Sequence, residues 1–198
     1  MFSVKAALQR ISKKVHVKTS PYYQSGSVDG LILPGVGSFS SAQRVLNKSR
    51  NKILQDVKSG MPLLGICLGM QLMFERSEEG SGSGLGLFEG CVIRFSNDEK
   101  LKVPHMGWNR VNLTRSRGSN LKSVLGSDGW AYFAHSYYPK PDDDSIAVGV
   151  TKYGTSRFPS IIERSNVWGT QYHPEKSGEF GSKLISAFID LVNSYYKK

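Results

Sequence analysis

The chain has 198 residues, 39% hydrophobic and 21% charged, which is enough to bury one α/β-sized core and too short for two full domains. Its 26 Lys and Arg against 16 Asp and Glu leave a formal charge of +10, scattered along the chain and accompanied by no nucleic-acid-binding motif, so a solvated basic surface is expected. With 21 Gly and only 8 Pro, the composition excludes collagen-like, mucin-like and fully disordered classes. Two cysteines, Cys67 and Cys91, cannot build a disulfide framework or a four-ligand zinc site and suit a reducing, cytoplasmic setting. The longest charge-free apolar stretch, 61–74, falls short of the ~20 residues that cross a bilayer, so no membrane partner is expected.

Phe2, Val4, Ala7, Leu8 and Ile11 recur at three- and four-residue steps, the pattern of one buried helical face. No acid precedes Asp29, and Lys5, Arg10, Lys13 and Lys14 give this opening a superficial likeness to a transit peptide, although the same residues read as an ordinary helix. Val15 to Val17 is a short strand candidate. Leu31 to Leu33 is a buried strand ending in the turn Pro34-Gly35-Val36-Gly37. Residues 40–58 come next as one helix, stopped by Gly60, then Pro62 to Ile66 as a strand and Leu68 to Phe74 at helical spacing. This alternation predicts an α/β fold, with parallel strands joined by crossover helices. The second half changes rhythm to six short strand candidates, 91–95, 108–113, 131–138, 146–151, 160–164 and 167–171, typical of antiparallel or mixed sheet. A helix over 182–196 closes the chain, with Leu184, Ile185, Phe188, Leu191 and Val192 inward.

Chemistry gathers at two places. Gly65-Ile66-Cys67-Leu68-Gly69 sits where a buried strand turns into a helix, the arrangement of a nucleophile elbow with cysteine in place of serine. Its glycines let the backbone turn sharply and leave space above the sulfur, and the helix N-terminus favours thiolate over thiol. A buried cysteine acting as a small hydrophobe would look the same. His173 and Glu175 flank Pro174 near the end of the last strand, so that in extended chain both side chains share one face at the sheet rim. A cysteine, a histidine to take its proton and a carboxylate to hold the imidazole form a catalytic triad. His135 and Cys91 read as structural, and His16 carries no signal.

The elbow continued as Met70-Gln71, the late Gln171-Tyr172-His173-Pro174-Glu175 and the early Pro34-Gly35-Val36-Gly37 resemble the three signatures of class I, triad-type glutamine amidotransferases. More narrowly, the segments 103–109 (Val-Pro-His-Met-Gly-Trp-Asn), 133–137 (Phe-Ala-His-Ser-Tyr) and 174–178 (Pro-Glu-Lys-Ser-Gly) resemble the glutaminase subunits of imidazole glycerol phosphate synthases. The resemblance implies a flavodoxin-like open, mostly parallel sheet flanked by helices, with added antiparallel strands. It implies Cys67 as nucleophile, His173 as proton carrier and Glu175 as its orienting group. The Leu68 amide and the mobile turn at Gly37 would form the oxyanion hole, and Gln71, Glu79, Ser136 and Tyr137 would hold glutamine. His105, Met106, Trp108 and Asn109 would lie near a (β/α)₈-barrel cyclase partner, although a Trp packing a strand edge would look identical. No cofactor and no metal are implied.

In one respect the sequence departs from the family. Its members open with a hydrophobic strand and an Asp-Tyr-Gly-x-Gly-Asn turn, whereas Met1-Phe2-Ser3-Val4-Lys5 resembles the stretch directly after that turn. The expectation is a single amidotransferase domain over 1–198, short at its N-terminus and lacking the first family strand, whether by a late-assigned start or by truncation. Two other functions stay open: a paralogous glutaminase feeding ammonia to another synthase, such as one for a surface amino-sugar, and a non-catalytic scaffold.

Overall fold

A computed structural model describes residues 2–35, 37–96, 101–114 and 119–195. A seven-stranded sheet runs through it in the order β1-β2-β10-β9-β8-β5-β6: Leu31–Leu33 (β1), Leu63–Ile66 (β2), Val167–Thr170 (β10), Ser156–Arg164 (β9), Ala147–Tyr153 (β8), His105–Leu113 (β5) and Gly129–His135 (β6). The strands β1, β2 and β10 are parallel, and every later pairing in this sheet is antiparallel, as the change in rhythm predicted. A second sheet of three strands joins Phe74–Ser77 (β3), Phe88–Arg94 (β4) and Tyr137–Pro141 (β7).

Helices cover both faces. On one side α1 (Phe2–Ile11) and α6 (Gly178–Tyr195) bury Val4, Ala7, Leu8, Leu184, Ile185 and Phe188 in a cluster with Leu64, Ile66 and Trp168. On the other, α2 (Phe39–Asn47) and α3 (Arg50–Lys58) bury Phe39, Leu46, Ile53 and Val57 with Leu63 and Val167. Successive residues of β2 thus feed opposite clusters, because strand side chains alternate. Short elements complete the chain: α4 (Leu68–Gln71) and α5 (Asn120–Leu125).

The structure departs from several sequence expectations. Phe2 is exposed and plays no part in the buried face of α1. No strand forms at Val15–Val17; the side chains of Val15 and Val17 instead lie partly buried against the core. The single helix over 40–58 is two, because Ser49 is buried at the break and its hydroxyl exchanges hydrogen bonds with the backbone of Tyr23. Helix stops after one turn beyond Cys67, since the carbonyls of Leu72 and Met73 accept from Leu85 and Leu87. The candidate strand 131–138 is divided at Ser136 between the two sheets.

Phe133 on β6 is fully buried and stacks on His105 with centroids 4.8 Å apart. Its replacement by Ala is expected to cost about 3–5 kcal/mol, read as a lowered urea midpoint.

Candidate active site

The site is built where β2 ends. The Cys67 amide donates to the carbonyl of Thr170 at 2.7 Å, extending the parallel ladder between β2 and β10 by one step. Cys67 then turns into α4 at φ 54° and ψ −110°, a left-handed conformation that costs a non-glycine residue about 1–3 kcal/mol and recurs at functional positions. The flanking glycines serve packing more than the space above the sulfur. A Cβ on Gly69 would lie 1.8 Å from the Leu33 carbonyl oxygen, and one on Gly65 would lie 2.6 Å from the Met70 nitrogen. Only bare backbone lets α4 seat on β1 and β2.

Beyond the end of β10 the chain delivers His173 and Glu175. Pro174–Lys176 forms one tight turn, and His173 Nδ1 meets Glu175 Oε1 at 3.0 Å, both groups largely buried. A carboxylate can only accept here, so Nδ1 carries the proton and Nε2 is the atom left for Cys67. Burial works against the charged imidazole, yet hydrogen bonds and charge interactions with Cys67 and Glu175 prevail and raise the His173 pKa to about 9. Burial likewise pushes Glu175 up, but the hydrogen bond and the charge of His173 bring it below the ordinary carboxylate value. The Cys67 thiol also lies 3.8 Å from the Ala134 carbonyl, and the Gln171 amide donates to the sulfur at 3.6 Å.

The other predicted site residues are distributed around this centre. Gln71 is buried, with its Nε2 donating to the Tyr137 carbonyl at 2.8 Å and to Gln171 Oε1 at 3.1 Å. Ser136 lies at the junction of β6 and β7, where its carbonyl accepts from Phe95. Glu79 binds the Phe39 amide at 2.8 Å, anchoring the start of α2 just after the glycine turn, where a carboxylate complements the helix dipole. Gly35 presses on Leu68 so closely that a Cβ would fall 2.4 Å from its amide nitrogen, and Gly37 has φ +101° with open space around it. Val36 lies outside the described residues.

Within the segment expected near a partner, alternation separates the residues. Met106 and Trp108 are 65% and 56% exposed, whereas His105 is only 3% exposed and its side chain faces the core. Asn109 is half-buried on that same inner face and hydrogen-bonded to His105. The sequence pattern gave no role to Gln171, whose contact with Cys67 depends on strand pairing across about a hundred residues.

A buried Cys–His–Glu array on a strained elbow is suited to acyl transfer from an amide. Residues 2–191 match the family model for class-I glutamine amidotransferases, and the chain belongs to that family. Among its relatives, the imidazole glycerol phosphate synthase subunit HisH of Geobacillus thermodenitrificans is 43% identical, the alignment covering 97% of this chain and 91% of that protein. The corresponding HisH subunit of Methanocaldococcus jannaschii is 48% identical over 83% of this chain and 81% of its own. A crystal structure of a glutamine amidotransferase superposes with a TM-score of 0.71 at 16% identity, covering 97% of this chain and 93% of that one, which is a likeness of fold.

Glu175→Gln is expected to destabilise the protein by roughly 1.5–3 kcal/mol at pH 6, the value of a hydrogen bond to a charged group. The folded pKa of His173 lies above the unfolded value of about 6.5. Its protonation therefore contributes stability in full below that value, and the contribution is lost as pH rises through about 9. The melting-temperature gap between wild type and Glu175→Gln should accordingly narrow over that window, and the His173 imidazole should titrate lower in the variant by NMR.

Proposed function

We propose that the chain, as a single amidotransferase domain in the cytoplasm, is the glutaminase subunit of an imidazole glycerol phosphate synthase. It hydrolyses glutamine and supplies ammonia to a cyclase subunit, which makes imidazole glycerol phosphate and aminoimidazole-carboxamide ribotide in histidine biosynthesis. The reading is carried by the Cys67–His173–Glu175 geometry, in a chain 43% identical to a HisH subunit over nearly its whole length.

The Cys67 thiol passes its proton to His173 Nε2, the sulfur attacks the side-chain carbonyl carbon of glutamine, and the carbonyl electrons move onto oxygen. The Leu68 amide and the turn at Gly37 stabilise that oxyanion. His173 protonates the amide nitrogen, the C–N bond breaks, and ammonia leaves a thioester on Cys67. Water, losing its proton to His173, adds to the thioester carbon, and glutamate departs as the sulfur is released. Glu175 keeps the Nδ1–H tautomer of His173 throughout. Gln71, Glu79 and the backbone of Ser136 and Tyr137 hold the amino-acid end of the substrate.

Ammonia released to water would be protonated, so the site must seal against its partner. The outer face of β5 and β6 suits that docking. Met106, Trp108 and Trp130 are exposed there, with Tyr132 paired opposite Trp108. Ala134, whose carbonyl touches the Cys67 thiol, pairs across the ladder with Met106, so the nucleophile lies beneath this apolar face. A barrel-shaped cyclase covering it would receive ammonia directly.

Cys67→Ala should lower glutamate formation by on the order of 10⁴-fold or more in the presence of the cyclase and its ribonucleotide ligand. Activity surviving that change would overturn the mechanism. Trp108→Ala should weaken cyclase binding by about thirtyfold or more, measured by titration calorimetry, with the circular dichroism spectrum unchanged. Activation by some other synthase and none by the cyclase would instead assign the chain to a paralogous system.

A further inference from the structure

Two buried histidines outside the triad form a chain of hydrogen bonds that ends in the glutamine site. His135 Nδ1 lies 2.9 Å from the Tyr137 carbonyl oxygen, which can only accept, so Nδ1 carries the proton. Burial lowers the pKa of His135 to about 3 and of His105 to about 4, and both rings are therefore neutral at pH 7. The unprotonated Nε2 of His135 then accepts from His105 Nδ1 at 3.0 Å. That leaves His105 Nε2 as an acceptor, and Asn109 Nδ2 donates to it at 3.2 Å while also donating to the Lys152 carbonyl at 3.0 Å. Every nitrogen in the chain has one role and one tautomer.

Packing fixes the rings as firmly as the hydrogen bonds do. His105 is stacked between Tyr153, at 3.9 Å between centroids, and Phe133, at 4.8 Å. His135 lies 5.2 Å from both Phe95 and Phe158. Apolar side chains would fill this space at lower desolvation cost, so a fully satisfied polar pair here points to a role besides packing.

The far end of the chain shows what that role is. The Tyr137 carbonyl accepts from His135 and also from Gln71 Nε2. Both Gln71 N–H groups are thereby committed, one to Tyr137 and one to Gln171, whose own amide donates to Cys67. The direction of Gln71 Oε1 is set in consequence, and this is the atom able to accept from the ammonium group of an amino-acid substrate.

We propose that His135, held in its tautomer by His105 and Asn109, is a positioning residue for glutamine: it ties down the Tyr137 carbonyl and so orients Gln71 toward the amino-acid end of the substrate. This rests on the reading that Gln71 and the Ser136–Tyr137 segment hold glutamine. His135 touches neither substrate nor the reacting atoms, so its effect falls on substrate affinity and leaves the chemical step largely intact.

The test is steady-state glutaminase kinetics of the complex with cyclase and its ligand, for wild type, His135→Phe and His135→Asn. Phe suits the surrounding aromatic cluster but supplies no donor, and should raise the glutamine KM about tenfold with kcat within about twofold. Asn carries its amide nitrogen where imidazole Nδ1 stood and should return KM to within about threefold of wild type. A wild-type KM in His135→Phe would overturn the relay alone, as would equal loss in both variants tracking a lowered melting temperature. Absence of glutamine turnover in the wild-type complex would overturn the relay together with the reading on which it rests. Independently of turnover, nitrogen-15 spectra should show both rings protonated at Nδ1, and an Nε2–H tautomer at either ring would also overturn it.

Discussion

The amide of Cys67 donates to the carbonyl of Thr170 at 2.7 Å, one step past the last ladder pair between Ile66 and Thr170. That bond joins two segments about a hundred residues apart, and the site hangs from it. It fixes where β2 stops, so Cys67 is the residue that must turn with positive φ, and it sets Gln171 and His173 just beyond the same sheet edge. A register shift of one residue would send Cys67 to the opposite face from His173. The cost of the strained turn, about 1–3 kcal/mol, falls on one of the most buried parts of the molecule, where Leu63, Leu64, Ile66 and Met70 have almost no exposure. There the surrounding packing leaves the backbone no alternative route.

Strand β5 does two jobs because its side chains alternate. Met106 and Trp108 face outward as an apolar surface, and His105 and Val111 face the core, with Asn109 reaching His105 from the strand's inner side. Opposite them β6 carries Phe133 and His135 inward, and Tyr132 and Trp130 outward. A single antiparallel ladder therefore has an exposed apolar surface on one side and the imidazole pair on the other. Anything that moves this ladder is felt both at the surface and at the Tyr137 carbonyl.

Much of this was legible in the sequence, and the unread parts share a cause. Periodicity located β1, β2, α1 and α6 because each buries a continuous face whose spacing comes from its own geometry. The elbow and the His-Pro-Glu segment were readable because their chemistry depends on near neighbours along the chain. The break between α2 and α3 was not, since the helical pattern runs through it and the interruption comes from the buried Ser49 hydroxyl bonding to Tyr23. Nor was the end of α4, where the 85–88 segment takes the Leu72 and Met73 carbonyls into a different connection. The candidate strand 131–138 has one apolar rhythm yet serves two sheets, a division made at Ser136 by contacts with Phe95.

By itself, then, the sequence determined the α/β character of the chain, its amidotransferase signatures and the three residues able to form a triad. These depend on residue types at short spacing, where covalent geometry limits the options. Only the tertiary structure decided that His105 is a core residue and that His135 leads to Tyr137. It alone placed the Gln171 amide on Cys67 and the Glu79 carboxylate on the amide that begins α2. These contacts depend on register and on which strands become neighbours. Such choices minimise the free energy of the whole packed core, and no local pattern encodes them.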